Sequence, residues 1–198
     1  TKNNNLSESI RSLLTFFFGK YGLLILDPND VVLKRYFKSN MKSEIQNQIS
    51  FHEVSRQTNK LSKSYKAIIK PRKLNLFYFY RKKRFRIEKK DKTYYLIDGQ
   101  MKWSQKQILK EINDFPERFS PNVILRTLYQ ETILPNIVYI GGPTEISYWL
   151  QFKSLFYRTK TEFPILILRS FVLNVNAKDS KFFKKNKIIS TELFFPLE

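Results

Sequence analysis

The sequence predicts an α/β protein in which a parallel-sheet core is combined with a small inserted antiparallel β unit and helical segments. Two apolar runs, Asn136–Ile140 and Phe163–Arg169, flank one helical pattern, which is the order of a βαβ unit. Three β-rich runs between Leu74 and Ile97 are separated by short basic turns, as in an antiparallel meander. We expect three parts: residues 1–70, a strand with a long helical segment; 71–103, the inserted meander; and 104–198, the part with the βαβ unit.

The first part opens with the apolar run Tyr21–Leu26, which Asp27-Pro28-Asn29-Asp30 closes. This pattern predicts a buried strand that ends in a turn, followed by a helix with an Asn or Asp cap. Residues 31–66 are polar, contain no Pro or Gly, and carry apolar residues at helical spacing. They predict a long helix or a pair of helices, exposed over much of its surface.

The meander consists of the runs Leu74–Tyr80, Arg84–Glu88 and Thr93–Ile97, and Asp98-Gly99 closes it. Charged and apolar residues alternate along the middle run, so we expect one face to be exposed. Its arginines, Arg84 and Arg86, indicate a solvated face rather than an RNA platform, because the aromatic pattern of an RNA-recognition motif is missing.

In the third part, Ser104 predicts the N-cap of a helix that runs through Asn113. Ser120-Pro121 predicts the start of a second helix, with Ser as N-cap and Pro as first residue, which ends at Leu134. Gly141-Gly142 predicts a tight turn before a helix from Pro143 to about Tyr157. The basic segment Lys178–Lys187 indicates a surface loop or helix.

The composition narrows the possible chemistry. Of the 198 residues, 42% are hydrophobic, which supports a real core. Cysteine is absent and His52, in a polar helical region, is the single histidine, so thiolate nucleophiles and Cys-ligated zinc are excluded and no metal site is implied. No apolar segment reaches the roughly 18–20 residues of a membrane span and no signal-peptide pattern occurs, so we expect a cytoplasmic protein.

The net charge of +19 first suggests an acidic partner such as nucleic acid. However, Lys supplies 25 of the 36 basic residues, Asn occurs 14 times and Ala only at Ala67 and Ala177. A/T-rich codons produce this bias throughout a chain, whatever the protein does. The charge is therefore weak support for nucleic-acid binding.

A polar stripe crosses the helix predicted after Pro121. Asn122, Arg126 and Gln130 are four residues apart and fall on one side of an otherwise apolar, buried helix. Buried polar groups need partners, so two interpretations are open. The stripe is either a seam satisfied by neighbouring backbone, or the wall of a wet cleft in which Arg126 and Gln130 face a ligand.

The Gly141-Gly142 turn is a second candidate, because glycines allow close backbone approach and a helix N-terminus attracts phosphate or carboxylate. The other interpretation is a simple tight turn, because the full G-x-G-x-x-G pattern is missing. Ligands bind beyond the carboxyl ends of parallel strands, and Arg169 ends the next strand at the same edge. Tyr148 and Trp149 on the intervening helix either line this cleft or pack in the core. Glu145 in the first turn favours the helix dipole and need not be catalytic.

The stretch Glu117–Lys153 (ERFSPNVILRTLYQETILPNIVYIGGPTEISYWLQFK) closely resembles the bacillithiol biosynthesis cysteine-adding enzymes, the BshC family. The resemblance extends to Tyr21–Asp30, to Leu74–Lys90 and to Phe163–Arg169, in the same order along the chain. It thus covers most of the sequence. Two positions depart from the family pattern: Thr127 stands in place of Pro and Ser170 in place of Asn.

The resemblance implies a partial Rossmann-like core and a ligase that adds L-cysteine to glucosaminyl malate to give bacillithiol. ATP is the implied energy source, because forming an amide from a carboxylate needs activation, and a coiled-coil homodimer is implied for the full-length enzyme. In this interpretation Arg126 and Gly141-Gly142 meet a phosphate or carboxylate, and Glu145 meets an amine, which makes Glu145 and Arg126 the catalytic candidates. The matching positions are Asn122, Arg126, Tyr129, Gln130, Glu131, Asn136, Gly141, Gly142, Glu145, Tyr148 and Trp149.

The ends of the sequence bear on this expectation. The chain opens at Thr1 rather than Met and closes just after the apolar stretch Leu193–Leu197, so we expect a part of a larger protein. Three alternatives remain open: a segment of a cysteine-adding ligase, a truncated and inactive copy of one, and a basic nucleic-acid-binding protein.

Overall fold

The computed structural model describes residues 5–97 and 101–189. Asp98-Gly99 and the stretch Leu193–Leu197 lie outside the described residues. The chain divides into two compact units, residues 1–167 and 168–198. No helix in the described ranges is both long and apolar enough to cross a membrane.

The described helices are short and separated by breaks in the backbone. They are α1 (Leu6–Phe18), α2 (Val31–Tyr36), α3 (Lys38–Asn47), α4 (Ile49–Leu61), α5 (Gln105–Asp114), α6 (Val123–Ile133), α7 (Pro143–Leu150), α8 (Lys153–Thr159) and α9 (Ala177–Lys185). The strands are β1 (Leu76–Tyr80), β2 (Lys83–Lys90), β3 (Thr93–Leu96), β4 (Lys102–Ser104), β5 (Phe119–Pro121), β6 (Val138–Gly141) and β7 (Ile165–Leu168).

The predicted meander is confirmed and is larger than expected. β1, β2, β3 and β4 pair in antiparallel order, and β5 adds a fifth strand beside β1. The buried side of this sheet shares one core with helices α3 and α5. The Tyr94 hydroxyl donates to the carbonyl of Ile45 across 2.9 Å, and the Tyr78 hydroxyl donates to Glu111 across 2.6 Å, which ties the sheet to both helices.

The predicted βαβ unit is also confirmed, since β6 and β7 form a separate two-stranded parallel sheet with α7 and α8 between them in sequence. The continuous apolar run Phe163–Arg169 is typical of a fully buried strand, and this expectation is wrong for one face of β7. Tyr139 and Leu166 pack against the core, whereas Ile140 and Ile165 on the alternate face are more than half exposed. A two-stranded sheet has only the one face covered by its own helices.

The prediction of a strand over Tyr21–Leu26 is wrong. Gly19–Tyr21 forms a 3-10 turn and Gly22 adopts a left-handed φ of 82°, which interrupts an extended backbone. The run then continues without strand pairing, and Leu23 and Leu24 are exposed. The prediction of helical structure within residues 31–66 is confirmed, but Phe37 and the left-handed Gln48 divide the segment into three helices.

Two helix boundaries also differ from the prediction. Ser120 and Pro121 belong to strand β5, where they pair with Phe77 and Leu76, so Asn122 is the N-cap of α6 in place of Ser120. A proline fits there because β5 is an edge strand. The helix expected from Pro143 to about Tyr157 is interrupted at Gln151, which ends α7. The helix capped by Ser104 and the exposed basic helix α9 agree with the sequence.

Candidate functional site

The polar stripe of α6 separates into structural and accessible positions. Asn122 is the N-cap: its Oδ1 accepts from the amides of Ile124 and Leu125, at 3.0 and 3.3 Å. Arg126 is exposed, and Gln130 is half-buried. Asn122 is therefore satisfied within its own helix, whereas Arg126 and Gln130 remain accessible.

Arg126 and Gln130 line a cavity of about 330 Å³ together with Tyr129 and Pro28. Leu24 and Leu26, from the run predicted as a strand, form its apolar wall with Ile133 and Leu134. Gln130 donates from Nε2 to the carboxylate of the buried Glu131 across 3.1 Å, which fixes its side chain at the rim. The volume lies at the lower end of the range of small-molecule sites.

A second cavity, of about 240 Å³, shares Pro28, Arg126 and Tyr129 with the first. Lys34 and Arg84 join Arg126 in its lining, and no carboxylate of the described residues takes part in it. Three cations around one small space form an environment that favours a carboxylate or phosphate group. The Arg84 guanidinium is held in place by donating to the Pro121 carbonyl across 2.7 Å.

Lys34 is the functional candidate that the sequence does not indicate. It is only 1% exposed, its Nζ donates to the carbonyl of Phe119, and the ammonium lies 5.6 Å from the centre of the Tyr129 ring. Burial, helped by the nearby charge of Arg84, lowers the pKa of Lys34 to about 8. In a single sequence a lysine within a polar helical segment is indistinguishable from a solvated one, so no pattern could have identified it.

The Gly141-Gly142 turn is already hydrogen-bonded to a side chain of the protein itself. The Gly142 amide donates to Glu145 Oε2 across 2.8 Å, and the hydroxyl of Tyr139 donates to Glu145 Oε1 across 3.2 Å. Pro143, the first residue of α7, has no amide hydrogen. The carboxylate of Glu145 thus caps the helix and places negative charge where an anionic ligand was expected.

Tyr148 interacts electrostatically with a residue of this turn region and with a residue of α6. Its pKa is raised by burial and by the charge of Glu145, and the charge of Arg126 opposes that shift. Tyr148 therefore lies within electrostatic reach of both Glu145 and Arg126. Trp149, in contrast, is completely buried, with its ring centre 4.5 Å from that of Tyr139, so it packs in the core and lines no cleft.

The remaining predicted residues lie elsewhere. Asn136 donates two hydrogen bonds to the buried carboxylate of Glu131, from its backbone amide at 2.8 Å and from Nδ2 at 3.0 Å. Arg169 is exposed and belongs to the second unit. His52 is exposed and packs edge-on against Phe51. Within residues 5–97 and 101–189, no group of three or more His, Cys, Asp and Glu side chains could hold a metal ion.

These features define a mixed α/β protein with a βαβ element and two adjoining cavities beside α6, one of them basic. Residues 1–170 match the model of the bacillithiol biosynthesis BshC N-terminal Rossmann-like domain. The chain belongs to the BshC family.

Curated relatives agree with this assignment. A protein of Christiangramia forsetii named "Putative cysteine ligase BshC" is 40% identical over 98% of this chain and 36% of its own length. A protein of the same name from Flavobacterium johnsoniae is 42% identical over 91% of this chain and 34% of its own length. One from Bacillus pumilus is 31% identical over 78% of this chain. The chain spans about a third of the length of the relatives it matches.

Proposed function

We propose that this chain is part of a cytoplasmic ligase that adds L-cysteine to the amine of glucosaminyl malate in the last step of bacillithiol biosynthesis. The observation that carries the proposal is the family match over residues 1–170, together with relatives named as cysteine ligases. The cavities beside α6 supply a site of suitable chemistry within the matched region.

In this proposal the basic cavity receives an anionic part of a substrate. Glucosaminyl malate carries carboxylates on its malate group, and three cations, Lys34, Arg84 and Arg126, line this space. The charges of Asp27 and Glu117 also reach Lys34 and partly offset it. Charge-assisted hydrogen bonds from such cations are stronger than neutral ones. Arg126 is the central residue of the site, because it also lines the larger cavity next to Gln130.

Glu145 is proposed to meet the substrate amine. Two of its lone pairs are used by Gly142 and Tyr139, and an ionised carboxylate has about four acceptor positions, so it can accept a further hydrogen bond. Tyr148, within reach of both Glu145 and Arg126, would orient the bound substrate between α6 and α7.

ATP is proposed as the energy source. The Gly141-Gly142 turn, with the carboxylate of Glu145 as its cap, does not suit a phosphate group, and the basic cavity is assigned to the malate group of the substrate in this proposal. When bound, ATP would activate the carboxylate of L-cysteine for amide formation. A homodimer of the full-length protein also belongs to the proposal, by analogy with the family.

The test uses the full-length protein with L-cysteine, glucosaminyl malate and ATP, and measures bacillithiol by mass spectrometry. We expect Arg126→Ala to lower kcat/KM at least tenfold while the matched variant Arg35→Ala, at an exposed position of α2, stays within about twofold. Failure of the unaltered protein to form bacillithiol would refute the proposal and would favour an inactive copy. Equal rates for the two variants would refute the assignment of the site.

A further inference from the structure

The larger cavity beside α6, of about 330 Å³, combines an apolar wall with two polar side chains. The wall consists of Leu24, Leu26, Ile133 and Leu134. Two of these large apolar side chains are open to solvent, since Leu24 is 61% and Leu134 37% exposed. A ligand that removes them from water gains free energy in proportion to the apolar area it covers. The cavity therefore favours a ligand with an apolar part.

Arg126 and Gln130 supply the polar groups of the lining. The Arg126 guanidinium has no hydrogen-bond acceptor or ion-pair partner within residues 5–97 and 101–189. Gln130 turns its Nε2 toward the carboxylate of Glu131, because an ionised carboxylate can only accept. The carbonyl Oε1 of Gln130 is thereby left as an acceptor without a donor in the described part of the chain.

An α-amino acid matches this pair of groups. Residues four apart on a helix are neighbours, with about 5–6 Å between their Cβ atoms. A guanidinium binds a carboxylate, and an amide oxygen accepts from an ammonium. An α-amino acid carries both charged groups on one carbon atom, and its side chain is then free to lie against the apolar wall.

The apolar wall is connected to the helix that carries the polar groups. The hydroxyl of Tyr129 donates to the carbonyl of Pro28 across 3.2 Å, which joins the segment containing Leu24 and Leu26 to α6. Asp27 Oδ1 accepts from the amide of Asn29 across 2.9 Å and so stabilises the turn at Pro28. A wall that is already held in place lowers the ordering cost of binding.

We propose that this cavity is the subsite for an L-α-amino acid with a small apolar or thiol side chain, which is L-cysteine if the ligase function proposed above holds. Its carboxylate would meet Arg126, its ammonium would donate to Gln130 Oε1, and its thiol would lie against Leu24 and Leu26. Hydroxyl side chains are disfavoured, because the wall offers them no hydrogen-bond partner.

This assignment also orders the two substrates. The basic cavity shares Pro28, Arg126 and Tyr129 with the apolar one, so the amino acid and the anionic substrate would lie on either side of these residues. A guanidinium has five N–H donors, which is enough for a carboxylate in each cavity.

The test is equilibrium dialysis of the full-length protein with radiolabelled L-cysteine, L-serine and L-2-aminobutyrate, without ATP or glucosaminyl malate. Aminobutyrate has a methyl group where cysteine has the thiol and serine the hydroxyl. We expect aminobutyrate to bind within about threefold of cysteine, and serine about tenfold or more weakly. Equal affinity for all three, tighter binding of serine, or no binding of any of them would overturn the proposal.

Variants locate the binding within the cavity. Leu24→Ser should weaken the binding of cysteine about fivefold and that of serine less than about twofold, because only the thiol loses an apolar contact. The matched control Leu23→Ser changes a neighbouring exposed leucine that does not line the cavity, and it should leave both affinities unchanged. Gln130→Leu should weaken all three amino acids by the same factor, about tenfold, because it removes the acceptor for their shared ammonium.

Equal effects of Leu24→Ser and Leu23→Ser would overturn the subsite, since the amino acid side chain would then lie elsewhere. These measurements need no turnover, so the two proposals fail separately. A protein that binds L-cysteine in this way but forms no bacillithiol would refute the ligase function alone. Bacillithiol formation by a protein whose affinity for cysteine is unchanged in Leu24→Ser would refute the subsite alone.

Discussion

Asn122 Nδ2 donates to Asn75 Oδ1 across 2.7 Å, and the Asn122 amide donates to the Asn75 carbonyl across 3.0 Å. Asn75 in turn donates to the completely buried Glu44, whose pKa is raised by burial. The N-cap of α6 is thereby attached to a buried polar network. Since Arg126 lies one turn further along α6, this network also fixes the position of Arg126 in the lining of the basic cavity.

We expect Asn122→Ala to lower the free energy of unfolding by about 1–3 kcal/mol, because it removes both the helix cap and the bond to Asn75. Asn122→Ser restores an oxygen that can cap the helix but lacks the amide Nδ2 that donates to Asn75, so its loss of stability should be intermediate. Denaturant unfolding of the three proteins measures this order. A fully stable Asn122→Ala protein that has lost activity would instead give Asn122 a role in ligand binding.

The buried ammonium of Lys34 leads to a prediction about pH. Its pKa is about 8 in the folded protein and 10.5 when unperturbed, so between these values the unfolded state binds more protons. The contribution of Lys34 to the free energy of unfolding should therefore rise with pH across this window, by about 3 kcal/mol in total. Lys34→Met removes the titrating group and should abolish this rise.

The measurement is denaturant unfolding from pH 7.5 to 11 for the unaltered protein, Lys34→Met and Lys60→Met. Lys60 is exposed on α4, so its replacement should leave the slope unchanged. Identical slopes for all three proteins would show that Lys34 titrates like a solvated lysine.

Glu145 joins a structural role to a proposed chemical one, and Glu145→Gln separates them. A glutamine oxygen can still accept from the Gly142 amide, so the thermal midpoint should fall only slightly, while the negative charge is lost. If Glu145 meets the substrate amine, kcat/KM should fall at least tenfold. Activity close to that of the unaltered enzyme would leave Glu145 as a cap alone.

Local signals in the sequence were sufficient to predict an element wherever the residues it pairs with lie nearby in the chain. Ser104 predicted its helix, and the basic turns predicted the antiparallel meander, because capping and hairpin pairing are local interactions. The run Tyr21–Leu26 misled because an apolar hexamer is equally compatible with a strand and with a cavity wall.

The candidate site was predictable only in part for the same reason. Arg126 and Gln130 could be found from their four-residue spacing along one helix. Lys34 and Arg84 approach Arg126 from α2 and β2, so their contribution depends on tertiary packing. Trp149 could equally have lined a cleft, and only the rings packed around it assign it to the core.

Gly141 is required by close packing rather than by its backbone angles. A Cβ at this position would lie 2.7 Å from Cε1 of Tyr139, a ring that stacks on Trp149 and has little freedom to move. Gly141→Ala should therefore lower the free energy of unfolding by about 1–3 kcal/mol through overpacking. At Gly19 the added Cβ would meet only the Thr15 methyl, at 3.3 Å, so Gly19→Ala should stay within about 1 kcal/mol of the unaltered protein. Denaturant unfolding of both variants tests the difference, and equal stabilities would mean that Tyr139 moves aside without cost.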